Sequence, residues 1–95
     1  MGIRSHPQIQ ANDDLRAICR EIVAEGKNLT EWDRVESCDA FQHGSFVGGY
    51  DACEQEFTFS YYDASKKEWW FSFSLPIAEK IARGDEYWLD LSEPA

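Results

Sequence analysis

Two histidines, three cysteines and eighteen carboxylates are the side chains in this 95-residue chain that could do chemistry. Their spacing decides which chemistry. His6 and His43 stand 37 positions apart, and neither has a second His or Cys at the spacing a metal site needs. Cys19, Cys38 and Cys53 form no CxxC pair, and their number is odd, which suits reduced thiols better than a disulfide framework. The nucleophile elbow GxSxG, the P-loop, HExxH and the GxGxxG fingerprint are all missing. One arrangement survives on paper: His43, beside Gly44 in a predicted loop, meeting Cys38 or Cys53 across space as a Cys/His dyad. The alternative is an ordinary exposed loop histidine. Paired carboxylates discriminate nothing in a chain this acidic. The expectation is a protein with no catalytic residue, no metal and no cofactor, which works by binding.

The charge has a direction. Formal net charge is −9, and residues 31–63 alone carry −7, from Glu31, Asp33, Glu36, Asp39, Asp51, Glu54, Glu56 and Asp63 against Arg34. A field of this sign repels nucleic acid and anionic lipid and attracts basic surfaces. The bland alternative is that acidity only keeps a small domain soluble. No apolar run reaches membrane-spanning length, and Met1 to Gln10 lacks a signal-peptide core, so a cytoplasmic location is expected.

The elements that must position these groups follow from periodicity. Asn12 to Glu25 reads as a helix: Asn12 caps it, Asp13 and Asp14 suit the dipole, Leu15, Ile18, Cys19, Ile22 and Val23 form a stripe, and Gly26 ends it. Residues 29–43 leave two alternatives. One is a short helix capped at Thr30 with Asp33, turning Trp32 and Val35 inward; the other is a strand through Arg34 to Phe41. Phe46-Val47 opens a short strand, and Gly48-Gly49 suggests a bulge or turn. Gln55 to Tyr62 and Glu68 to Ser74 alternate around the 63–67 turn as an antiparallel hairpin. Ser74 caps a second helix, with Pro76 in its first turn and Gly84 as its stop. A last strand runs from Glu86 to Leu91. The fold class is α+β, one domain over 1–95, with an antiparallel sheet of three to four strands and two or three helices on one face. Residues 1–11 are expected to be loose.

Alternation also assigns the other face of that sheet. Phe57, Phe59, Tyr61, Trp69, Phe71, Phe73, Tyr87 and Leu89 point to the helices. The opposite side then shows Glu54, Glu56 and Tyr62, then Glu68 and Trp70, then Glu86, Trp88 and Asp90, with Asp39 and Asp51 adding charge nearby. Aromatics set among carboxylates have the composition of a binding hot spot. Glu54 and Glu56, at i and i+2 on a strand, would lie about 6.6 Å apart, close to the step between phosphates. Two other arrangements stay open: residues 29–43 cover this face, or a homodimer buries it.

Leu75-Pro76, the alanine-containing helix to Ala82, Gly84-Asp85-Glu86-Tyr87-Trp88-Leu89 and the terminal Ser92-Glu93-Pro94-Ala95 resemble the end of a small acidic anti-CRISPR family carried by phages. The resemblance spans about a fifth of the chain. It implies an anti-defence inhibitor whose acidic face keeps DNA from a basic cleft. The expected partner is therefore a basic nucleic-acid-binding protein, with neither nucleic acid nor membrane bound directly and with DNA mimicry as one mode. An immunity protein against a basic toxin, or an accessory interaction domain without an electrostatic partner, are the rival expectations.

Overall fold

Alternating aromatics dominate residues 41–73, and the computed structural model, which describes residues 7–36 and 40–94, folds them into a four-stranded antiparallel meander. In chain order the elements are β1 (Gln8–Gln10), α1 (Asp13–Ala24), α2 (Leu29–Trp32), β2 (Phe41–His43), β3 (Phe46–Asp51), β4 (Glu56–Tyr62), β5 (Glu68–Phe73), α3 (Leu75–Ala82) and β6 (Trp88–Asp90). The meander runs β2-β3-β4-β5, while β6 pairs with β1 in a separate ribbon. Reciprocal backbone bonds between Trp70 and Ser92, at 2.8 and 2.9 Å, join that ribbon to the β5 edge.

One face of the sheet carries the core. Phe46, Tyr50, Phe57, Phe59, Phe71 and Phe73 are buried against Leu15, Ile18, Cys19 and Ile22 of α1 and Ala78 and Ile81 of α3. Phe57 and Phe59 stack on Phe73 at centroid distances of 5.8 and 5.6 Å, and Trp32 meets Phe57 edge-on at 5.0 Å. Pairs of this kind add about 0.5–1.5 kcal/mol each beyond burial, which lets a domain this small stand on its aromatic layer.

The helices begin and end where their polar groups are satisfied. Asn12 accepts from the Leu15 N–H at 2.9 Å, and Ser74 caps α3 ahead of Pro76. Gly26 and Gly84 follow α1 and α3 in left-handed conformation. The α2 cap falls two residues earlier than Thr30: Asn28 accepts from the Glu31 N–H at 2.9 Å while Glu31 accepts from the Asn28 N–H at 3.2 Å. A carboxamide at Asn28 places a Glu at the third helical position, the reciprocal geometry of a capping box. Of the two readings of 29–43, the helix is correct and turns Trp32 inward, whereas the strand begins only at Phe41. Arg16 ties the helical layer together, donating to the carbonyls of Ile81 and Asp85, both at 2.9 Å. Ile81 lies in the last turn of α3 and Asp85 in the loop that follows it, so one guanidinium pins the helix end to α1.

Two further outcomes differ from expectation. Gly48-Gly49 makes no bulge: β3 runs through it in register, with Gly48 opposite Phe59 and Gly49 opposite Thr58. The turn is Gly44-Ser45 instead, with Gly44 at φ 56°, the conformation a two-residue hairpin needs at its first central position. Gln8–Gln10, within the segment expected to be loose, pairs with β6 through Gln8↔Asp90, Ile9↔Leu89 and Gln10↔Trp88. No described helix is long and apolar enough to cross a membrane.

Burial leaves a titration signature. It pushes the Cys19 thiol from 9.0 up to about 12, against the opposing pull of Arg16 and Arg20. The Tyr50 phenol rises from 10.0 to about 12, first by burial and then because it donates to Asp33 Oδ1 at 2.7 Å. Both groups hold their protons more tightly folded than unfolded. Their contribution is whole below the unfolded values and is lost as pH climbs toward the folded ones. Urea midpoints should therefore hold to about pH 9 and fall between about pH 9 and 12. Cys19→Ala should flatten the first part of that fall; an unchanged slope would remove Cys19 as its source.

Candidate protein-binding face

Register fixes which side chains share the face turned away from the helices. They are Gln42, then Val47, Gly49 and Asp51, then Glu56, Thr58, Ser60 and Tyr62, then Glu68, Trp70 and Ser72. The ribbon adds Trp88, Asp90, Gln8 and Gln10, and Ser92 follows across from Trp70. Four carboxylates stand among these residues and no base. Tyr62 is 43% exposed, Trp70 40% and Trp88 51%. No described helix packs on this side, so α2 does not cover it; its tryptophan lies in the core beneath the other face.

Local hydrogen bonds hold several of these groups in place. Glu68 Oε2 accepts from Ser60 Oγ at 2.9 Å and from Trp70 Nε1 at 2.8 Å, locking one carboxylate to one indole. Asp90 accepts from Gln8 at 2.8 Å and Glu86 from Gln10 at 3.0 Å. Glu86 lies in the loop before β6 rather than on a strand, yet Gln10 holds it to this side. Two grooves indent the face. One, of about 570 Å³, runs between β3 and Trp70. The other, of about 450 Å³, opens where β5 and β6 part and is lined by Glu56, Ser72, Trp88 and Asp90.

No protein-family model, curated protein or solved structure matches this chain. Function must be argued from the face itself.

Of the residues expected here, Glu56, Tyr62, Glu68, Trp70, Trp88, Asp90 and Asp51 share the outward side. Glu54 does not. β4 starts at Glu56, and Glu54 sits in the preceding turn, where its N–H and that of Cys53 bond to Asp51 Oδ1 at 3.4 and 2.9 Å. Gln55 at φ 58° completes the reversal. The carboxylate ladder of Glu54 and Glu56 is thus absent, because Asp51 folds the chain back before a strand can form. Asp39 lies outside the described residues, as does Cys38. The missed contributors are Gln8, Gln10 and Glu36; only the short Gln-Ile-Gln alternation offered a signal for any of them.

The dyad geometry also fails where it is described. His43 Nε2 pairs with Glu21 on α1, while Cys53 is exposed in the turn at the far end of β3. Six residues of strand separate those ends, about 17–20 Å. Among the described residues no cluster of His, Cys, Asp and Glu is placed to hold a metal ion.

Proposed function

We propose that this protein is an inhibitor that docks its open sheet face on the basic surface of a nucleic-acid-binding protein, in the anti-defence role of a phage or mobile element. The observation that supports this is the pairing, on one side of the sheet and its adjoining ribbon, of two half-exposed tryptophans with four outward carboxylates and, among the described residues, no outward base. Exposed aromatics supply anchoring area, and the surrounding charge steers a basic partner and disfavours acidic ones. Blockade by this face is steric and electrostatic, and the Glu54–Glu56 pair contributes no phosphate-like spacing to it, since Glu54 leaves the strand.

Tagged protein should capture a basic nucleic-acid-binding protein from host lysate at about 0.15 M salt and lose much of it at about 0.5 M, as the screening length falls from about 8 Å to about 4–5 Å. Glu56→Lys and Asp90→Lys should each weaken capture about fivefold, the upper worth of an exposed charge pair. Capture indifferent to both salt and charge reversal would sink this function.

A further inference from the structure

The larger groove on the open face has a composition that selects its occupant. Val47, Thr58 and Ser60 point into it from β3 and β4, Trp70 borders it from β5, and the carboxylates of Glu36, Asp51 and Glu68 surround it. None of the described lining residues carries a positive charge. Its volume, about 570 Å³, lies within the usual range for ligand sites and exceeds what one side chain requires.

We infer that this groove takes an arginine side chain from the partner, its guanidinium lying against the Trp70 indole and bonding to Glu68. The inference rests on the proposed function and names the chemistry its face would recognise. Three features carry it. The indole plane is fixed, because Trp70 Nε1 donates to Glu68 Oε2 at 2.8 Å. The same bond fixes the carboxylate: Oε2 accepts twice, and Oε1 takes no hydrogen bond among the described residues. Finally, the fold places its own lysines elsewhere, with Lys67 over Trp69 at 4.3 Å and Lys27 over Trp32 at 5.1 Å, and no described cation over Trp70. An indole beside a carboxylate, both already oriented, suits a planar, weakly hydrated cation that can stack and bond at once. Lysine, a compact and strongly hydrated charge, can do one or the other well. Because the groove's groups are held before binding, little ordering opposes occupancy.

The test needs no partner. Capped Gly-Arg-Gly, Gly-Lys-Gly and Gly-citrulline-Gly would be titrated into the intact chain while the indole N–H resonances are followed, with Trp70 assigned through Trp70→Phe. The arginine peptide should shift the Trp70 resonance with an affinity on the order of 1 mM, the lysine peptide should bind about fivefold more weakly, and citrulline should leave it unmoved. Glu68→Gln keeps an acceptor for Ser60 and Trp70 and should lower arginine affinity about fivefold, read as the shift of the Trp70 resonance from its own peptide-free position. A citrulline response equal to that of arginine, or no movement of Trp70 with any peptide, overturns the inference. Partner capture can survive that result. Conversely, capture that ignores the whole face would end the proposed function while leaving arginine binding to stand alone.

Discussion

Gly48→Ala is expected to destabilise the fold by about 3 kcal/mol or more, at the upper end for overpacking. A Cβ at this position would stand 2.1 Å from the Thr58 carbonyl oxygen, 2.7 Å from Phe59 Cα and 2.8 Å from Phe59 Cγ. Two of those atoms are backbone on the neighbouring strand, so no side-chain rotation relieves the clash. β3 must move away from β4, which breaks the ladder from Phe46↔Tyr61 to Asp51↔Glu56 and unseats the Phe59 ring. A domain of this size has about 5–14 kcal/mol in total, so the variant would keep a small margin. Gly44→Ala is the informative control. Its Cβ would meet Asp14 Oδ2 at 2.2 Å, but that is the tip of a flexible side chain, leaving mainly the left-handed backbone penalty of about 1–2 kcal/mol. Urea denaturation at constant m-value would rank the two. A smaller loss at Gly48 than at Gly44 would mean that β3 and β4 do not share this register.

Gly48 also shows why the sequence was legible in some places and not in others. Period-two alternation over 57–61 and 69–73 identifies the faces of β4 and β5, because on a strand with one covered face each residue answers to one side only. The helix stripes, the Asn12 and Ser74 caps and the two glycine stops were readable for the same reason: each depends on residues within a turn or two. Gly48-Gly49 misleads because the need for glycine there comes from across the sheet, from Phe59 and Thr58, and local reading sees only a pair that usually bends. The strand β1 was equally out of reach: three residues become a strand because β6, nearly eighty positions later, offers them a ladder.

The candidate face divides along the same line. Tyr62, Trp70, Trp88 and Asp90 were placed correctly because parity alone determines their side. Glu54 was misplaced because parity was carried past the strand's end, where Asp51 captures two turn N–H groups. The bond from Trp70 to Glu68 joins residues two apart on one strand face, yet its partner Ser60 comes from β4, and only the register between the strands brings the three together. Glu36 enters the groove from a segment whose local pattern fitted both a helix and a strand. Electrostatic character was thus legible in bulk, whereas the orientation of each carboxylate was not.

Replacing Trp70 and Trp88 together by alanine is expected to reduce partner binding by on the order of 10²–10³-fold while leaving the fold intact. Loss of a central aromatic anchor costs about 2 kcal/mol or more, and each 1.4 kcal/mol is tenfold in affinity. Both indoles lie outside the aromatic core, at 40% and 51% exposure, so truncation removes packing at the surface and leaves the core contacts in place. The backbone bonds between Trp70 and Ser92 do not depend on the side chain. Removing the Trp70 indole does take one donor from Glu68, which Ser60 still holds. The urea midpoint of the double variant should consequently fall modestly with the m-value unchanged, while titration calorimetry against the captured partner should show binding nearly abolished. The two single variants give a further reading. The grooves flank β5 and each has one tryptophan at its border, so anchors that act independently should give single losses that add. If one single variant alone accounts for the whole loss, the partner engages one groove and the other tryptophan is a bystander. If the folded double variant binds as the parent does, the open face is not the docking surface and the acidic field acts from another side of the molecule.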